Sequence, residues 1–289
     1  MSDVREKIKR QIEIIASAIN EPGKNKIIDL ELSHNCNSAT IKRDLKDIRS
    51  RGIDIHSIKG RGVEISNKLS ADQIKEMISE FVFVNNIDYS PDKATHFLAE
   101  SHREKSIVLL TLLQRAISGN YAVKIIYKKN NDKGEAEKTI EPLLIFQREN
   151  NWRLLAREGG RDKQYLLNRI MNIEVTNNKF SVLDRQSKEK LFSNSFGTWL
   201  GDKSFTVKLK FDKSWNVGGD KPIIIQNQKI TKTPDGYFIV EFEVNSLEEL
   251  ARWVVGRGNE VMVLEPKELK DLVIKLANEV ILLYDHLNL

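Results

Sequence analysis

Val123-Lys124-Ile125-Ile126-Tyr127, Leu143-Leu144-Ile145-Phe146, Trp152-Arg153-Leu154-Leu155-Ala156 and Tyr165-Leu166-Leu167-Asn168-Arg169-Ile170 are four short runs rich in β-branched and aromatic residues. Turn formers separate them: Asn130-Asn131-Asp132-Lys133-Gly134, Glu149-Asn150-Asn151 and Gly159-Gly160. Such side chains pack well on a pleated surface, and runs bounded by Gly, Asn and Asp read as strands joined by tight turns. The spacing predicts a small antiparallel barrel or sheet between Val123 and Ile173. Arg153, Arg157 and Arg169 fall inside or at the ends of these strands. Burying an unpaired guanidinium costs several kcal/mol, so each needs an anionic partner. That partner is either a bound ligand or a neighbouring carboxylate, with Glu141, Glu158 and Asp162 as the candidates in sequence.

Trp152-Arg153-Leu154, preceded by a strand ending in Tyr127 and by Pro142, resembles the strand from which the WYL-domain regulators take their name. The phenylalanine-arginine-leucine-aspartate-arginine-isoleucine strand that follows in that family stands here as Tyr165-Leu166-Leu167-Asn168-Arg169-Ile170. Arg153 replaces the name-giving tyrosine, Leu166 removes one of two arginines, and Asn168 stands where aspartate is usual. The resemblance implies a small Sm-like β-barrel over residues 119–183 that senses a ligand, in the family often a nucleotide or nucleic-acid fragment. It makes Tyr127, Arg153, Arg157, Tyr165 and Arg169 the ligand-binding residues, the arginines as forks for phosphate and the tyrosines as faces for a base.

Residues 1–68 carry a second pattern. Ile8, Ile12, Ile15, Ala16 and Ile19 stand at helical spacing, which predicts an amphipathic helix from Val4 to Asn20. A short helix from Asn25 to Leu32 follows the Pro22-Gly23 turn. A third, N-capped by Ser38 and closed by Gly52, runs to about Arg51 with Ile41, Leu45 and Ile48 inward. Ser38, Thr40, Lys42, Arg43, Lys46 and Arg49 then lie largely on other faces. A major groove admits one such helix, its exposed side chains reaching base edges and phosphates. Asn37-Ser38-Ala39-Thr40-Ile41-Lys42-Arg43-Asp44-Leu45 resembles the recognition helix of winged helix-turn-helix repressors. In that resemblance Ile53–Ile58 and Val63–Ile65 form a two-stranded wing whose tip, with Lys59 and Arg61, meets phosphate or the minor groove. The alternative is a helical bundle with a solvated basic face.

Residues 69–118 read as a helical connector interrupted at Asn85 to Pro91. It is suited to carry dimer contacts and signal, or serves only as a spacer. Beyond Phe180, strands are predicted at Phe205–Phe211, Phe238–Val244 and Val261–Leu264, with Ile223–Ile225 as a further candidate. Helices are predicted at Phe192–Leu200, Leu247–Val255 and Lys267–Leu287. This order suggests an α+β sandwich over 184–289. Its Trp253, Gly256-Arg257-Gly258 and Glu265-Pro266-Lys267-Glu268-Leu269 resemble the C-terminal extension found in many WYL regulators. Gly256-x-Gly258 is too short for a dinucleotide fingerprint and reads as a helix cap and turn.

The net charge of +5 is unevenly spread. There are 14 basic against 10 acidic residues in 1–70, 5 against 7 in 71–118, 12 against 8 in 119–180, and 15 against 16 in 181–289. The two basic segments coincide with the two candidate anion-binding regions. A lone Cys36 offers no disulfide framework, and His34 and His56 lack a second ligand at metal spacing. Neither a signal peptide nor a span of about 18 apolar residues is present. The expectations are therefore a cytoplasmic, multidomain α+β protein with no catalytic constellation, cofactor or membrane association. It would be a sequence-specific transcriptional regulator, a repressor, binding a double-stranded operator as a homodimer and sensing a nucleotide or oligonucleotide. The alternative is a subunit that delivers single-stranded nucleic acid to a nuclease or helicase.

Overall fold

The first helix, α1 (Ser2–Asn20), buries the expected Ile12, Ile15 and Ala16, and also Ile14 and Ala18, which lie off that stripe. Its second buried side follows from its position. α1 packs against α3 (Ser38–Ser50) and a small hairpin, and also against α4 (Ala71–Asn85) and α6 (Lys105–Gly119). The computed structural model describes residues 2–85, 87, 93–128, 134–148, 150–181, 204–215 and 228–285, in two compact units, Met1–Ser181 and Val182–Leu289.

In the first unit α2 spans Ile27–His34, starting two residues later than the sequence suggested, and ends at Asn35 in the left-handed conformation (φ 47°). The N-cap of α3 is Asn37, one residue before the expected Ser38. The Asn37 side-chain oxygen accepts from the Thr40 amide at 2.9 Å, the usual bond from a capping oxygen to the third helical residue. The strands β1 (Ile55–Ser57) and β2 (Val63–Ile65) pair antiparallel, Ile55 opposite Ile65. The Val63 amide donates to the Asn25 carbonyl at 2.8 Å, and the Gly23 amide donates to the Val63 carbonyl at 3.1 Å. This stitching needs a glycine at 62, because a Cβ there would lie 2.5 Å from the Asn25 carbonyl oxygen.

α4 buries Ile74, Met77, Ile78, Phe81 and Val82 as its spacing predicts. α5 (Lys93–His102) and α6 follow, joined by a short turn; Ser106, at the start of α6, is fully buried and its hydroxyl lies within bonding distance of the Leu98 carbonyl at 3.0 Å and the Arg103 carbonyl at 2.6 Å.

Five antiparallel strands complete the unit: β3 (Tyr121–Lys128), β4 (Glu135–Arg148), β5 (Asn151–Glu158), β6 (Arg161–Leu166) and β7 (Ile170–Lys179), in the order β6-β5-β4-β3-β7. β4 begins well before the predicted Leu143. Its first half, Glu135-Ala136-Glu137-Lys138-Thr139, is polar on both faces and so carries no period-2 signal. That half pairs with β3 and the second half with β5, with a register shift at Pro142–Leu144 where proline has no N–H to give the ladder. The expected single strand Tyr165–Ile170 is broken by a 3-10 turn, Leu167–Arg169. Among the described residues β6 and β7 are not paired with each other, so the sheet is open and the closed barrel implied by the resemblance is not formed. Trp152, Leu154 and Ala156 of β5 enter the same core as Ile12, Ile41 and Met77.

The second unit holds β8 (Phe205–Phe211), β9 (Lys229–Lys232), β10 (Phe238–Val244) and β11 (Val261–Glu265), in the order β11-β8-β10-β9. Val207, Leu209 and Phe211 alternate inward, opposite Phe242, Val240 and Phe238. α7 (Leu247–Val255), capped by Ser246, covers them with Leu250, Ala251 and Val254, and α8 (Lys267–Asp285) adds Leu269. Gly256 caps α7 and Gly258 takes φ 58°, the cap and turn read from the sequence. β9 is a four-residue edge strand too short for a periodic signal. The strand proposed at 223–225 and the helix at 192–200 lie outside the described residues.

Candidate functional site

On α3 the buried positions are Ile41, Asp44, Leu45 and Ile48, a stripe at helical spacing. Lys42, Arg43 and Lys46 lie on the opposite arc and are exposed. Asp44, 1% exposed, receives Arg10 Nε at 2.5 Å and Gln11 Nε2 at 3.2 Å, both from α1. That hydrogen bond raises the Arg10 pKa despite burial. Asp44 thus sets the rotation of α3 about its axis and thereby aims the three basic side chains outward. Its importance was readable from spacing, since an aspartate three residues after Ile41 and four before Ile48 sits inside the apolar stripe.

The remaining residues expected at a nucleic-acid interface divide. Ser38 lies partly exposed in the first turn of α3. The Thr40 hydroxyl donates to Asn37 Oδ1 at 3.1 Å, so its proton is used in the cap. Arg49 Nη1 donates to the Ile55 carbonyl at 3.0 Å and ties the end of α3 to β1. Lys59 is exposed at the hairpin tip beside Gly60, while Arg61 Nη2 stands 3.1 Å from Glu64 Oε2. Lys7 reaches Asp47 of α3 at 2.6 Å.

The residues expected to bind an effector are separated by the register of the sheet. Leu154 pairs with Ile145 and Tyr165, and all three are buried. Arg153 pairs with Phe146 and Leu166 on the other face. Tyr165 therefore lies on the core face, 3% exposed, edge-on to Tyr127 with ring centroids 5.1 Å apart. Tyr127 is further committed, its hydroxyl accepting from the Leu166 amide at 3.2 Å. On the outer face Arg157 pairs with Asp162, Nε to Oδ1 at 2.9 Å, one of the structural ion pairs weighed from sequence. Arg153 shares that face, and Arg169 sits partly exposed in the 3-10 turn. Tyr127 and Tyr165 thus lie on the face opposite Arg153 and Arg157.

The core face instead holds a charged cluster around Glu158, which the sequence offered as a partner for the arginines and which pairs with two lysines. Glu158 receives Lys138 at 2.5 Å and makes a closer contact with Lys163. Burial alone would raise the Glu158 pKa. The two ammonium groups, with the Tyr165 hydroxyl nearby, outweigh it and hold the carboxyl at about 2. Burial, and then the Glu158 carboxylate, push the Tyr165 phenol upward. The folded carboxyl titrates below its ordinary 4.5, so the cluster stabilises fully above that pH and loses its contribution as pH falls toward about 2. Glu158→Gln is expected to cost on the order of 1–2 kcal/mol near neutrality, allowing for solvent screening, and almost nothing near pH 2. Urea unfolding of both proteins across that range measures the convergence.

Among the described residues no group of three or more His, Cys, Asp or Glu side chains is placed to hold a metal ion, and no helix is long and apolar enough to cross a membrane. His34 ends α2 with Nδ1 3.4 Å from Glu13 Oε2, its pKa lowered by burial. His56 contacts Asp54. Cys36 is a half-buried free thiol packed against the core.

The sheet and the second unit coincide with two family matches. The chain carries a WYL domain over residues 108–175 and a WCX domain over residues 203–281. No curated protein sequence matches it. Proteasome accessory factor B/C (PafBC) of Arthrobacter aurescens is a similar solved structure, at 13% identity and a TM-score of 0.28, with 96% of this chain and 54% of that one covered. The chain thus spans about half the length of that protein. A CRISPR Cas-related protein is similar at 12% identity and a TM-score of 0.43, with 98% of this chain and 86% of that one covered.

Proposed function

We propose that this protein is a sequence-specific DNA-binding transcriptional regulator, a repressor, acting as a homodimer. In this reading the three N-terminal helices and the hairpin work as a winged helix-turn-helix, with α3 the recognition helix and the β1–β2 tip on the backbone. The observation that carries it is the outward arc of Lys42, Arg43 and Lys46, opposite a stripe that Asp44 pins to α1. Long cationic side chains on an exposed arc of a helix locked in rotation suit a major groove. One such helix reads few base pairs, so two half-sites related by a dimer axis supply the needed selectivity.

The WYL sheet is the sensor of an anionic ligand, a nucleotide or short oligonucleotide, bound at Arg153 on its outer face and at Arg169 in the adjoining 3-10 turn. Tyr127 and Tyr165 support that face from the core rather than touching the ligand. Effector and operator binding are then linked reciprocally, and saturating effector shifts operator affinity by roughly 1–3 kcal/mol. Calorimetry with mononucleotides, cyclic nucleotides and short single strands, paired with operator titrations, tests this on wild type and on Arg153→Ala with Arg169→Ala. The double variant should lose both the binding and the shift. Retention of both in a folded double variant would remove the arginine face from the mechanism.

A further inference from the structure

A cavity lies apart from the sheet's outer face, among the connector helices. Its volume is about 690 Å³, within the range of small-molecule sites, which run to roughly 300–1,000 Å³. Leu69, Ile74 and Ala99, all buried, supply apolar wall. Lys68, Arg103 and Lys105, all exposed, line the same cavity. Its carboxylates are already engaged: Glu104 accepts from the Leu69 amide, and Glu100 Oε1 stands 3.0 Å from His96 Nε2. Among the described residues none of these three cations has an ion-pair partner, and with Lys75 four cations line the cavity against the two carboxylates, so its net charge is positive.

The placement of Arg103 is structurally specified. It holds φ 49° at the end of α5, a left-handed conformation uncommon for residues other than glycine and asparagine. Its amide donates to the Ala99 carbonyl at 2.8 Å, and its carbonyl accepts from the Ser106 amide at 3.0 Å. The turn therefore holds the guanidinium-bearing residue in a costly conformation, which at other sites accompanies ligand contacts. Next to it, His102 Nε2 lies 2.8 Å from the carbonyl of Ile170, the first residue of β7. The wall of the cavity is in this way bonded directly to the sheet.

We propose that this cavity is a second anion site, which takes a small phosphorylated compound with an apolar or aromatic body, of about mononucleotide size. The phosphate sits among Lys68, Arg103 and Lys105, and the body lies against Leu69, Ile74 and Ala99. This site is independent of the sheet's arginine face.

The test uses the full chain and adenosine 5′-monophosphate, with adenosine and inorganic phosphate as partial ligands. Calorimetry compares wild type, Arg103→Gly with Lys105→Ala, and Arg153→Ala with Arg169→Ala. Glycine keeps the left-handed turn while removing the guanidinium. Lys68→Ala, outside any helix or strand, is the fallback should the first pair fail to fold. The connector variant is expected to weaken nucleotide binding at one site at least tenfold and to leave any site removed by the sheet variant intact. Adenosine and phosphate should each bind more weakly than the nucleotide. Nucleotide affinity within twofold of wild type in the connector variants, or no binding by wild type at millimolar concentration, overturns the proposal. So does a loss confined to operator affinity, which would make these cations contacts to DNA phosphate. Loss only in the sheet variant fails this site and leaves the sensor reading standing.

Discussion

Asp44→Ala should lower the stability of the first unit by about 3–5 kcal/mol, the usual cost of removing one member of a buried ion pair. The carboxylate is 1% exposed and accepts from Arg10 Nε and Gln11 Nε2. Its loss strands a guanidinium whose side chain is only 18% exposed, along with a buried amide. Asp44→Asn keeps an acceptor for only one of the two donors and sets an amide N–H against the other, so it should recover only part of the loss. With two compact units a single unfolding midpoint is poorly defined, so hydrogen exchange of the α1 and α3 amides under denaturant is the better readout. Equal protection in wild type and Asp44→Ala would show that the pair does not hold the two helices together. Because Asp44 orients α3, any Asp44→Ala protein that stays folded should also bind operator less well.

The second large effect is expected on the proposed operator binding. Arg43→Ala should weaken operator binding by about 1–3 kcal/mol if the arginine reads a base, and Lys46→Ala should add a smaller, sequence-independent loss with a shallower salt dependence. Both side chains are exposed and lie away from the buried stripe, so fold stability should change little. Titrations of the promoter fragment at several salt concentrations separate the two contributions. Unchanged affinity in the double variant would remove α3 as the reading element. Thr40→Ala should behave differently from the simple expectation of a base contact, because the hydroxyl donates within the cap. Part of its effect should appear as fraying of the first turn of α3.

The kinds of elements were legible from the chain alone wherever a period could be counted. The helical stripes of α3 and α4, the alternation of β8 and β10, and the glycine turn after β5 all rest on contacts between neighbours in sequence, which local pattern records. The exposed arc of Lys42, Arg43 and Lys46 belongs with them, being the complement of the α3 stripe. Local pattern could not supply register. Tyr165 and Arg153 stand in adjacent strands, and the pairing of Leu154 with Tyr165 puts them on opposite faces, whereas a one-residue slip would have joined them. The first half of β4 was hidden because its mixed polar residues satisfy neither period. The open edge between β6 and β7 depends on the 3-10 turn at Leu167–Arg169, within a run that otherwise reads as continuous strand. Asp44 and Arg10 are 34 positions apart, and Lys68, Arg103 and Lys105 of the connector cavity come from two loops and the start of a helix. Backbone preference and hydrophobic period act over a few residues and are written in the sequence. Charge pairing, strand register and cavities are decided by which distant segments the packed core brings within a few ångströms.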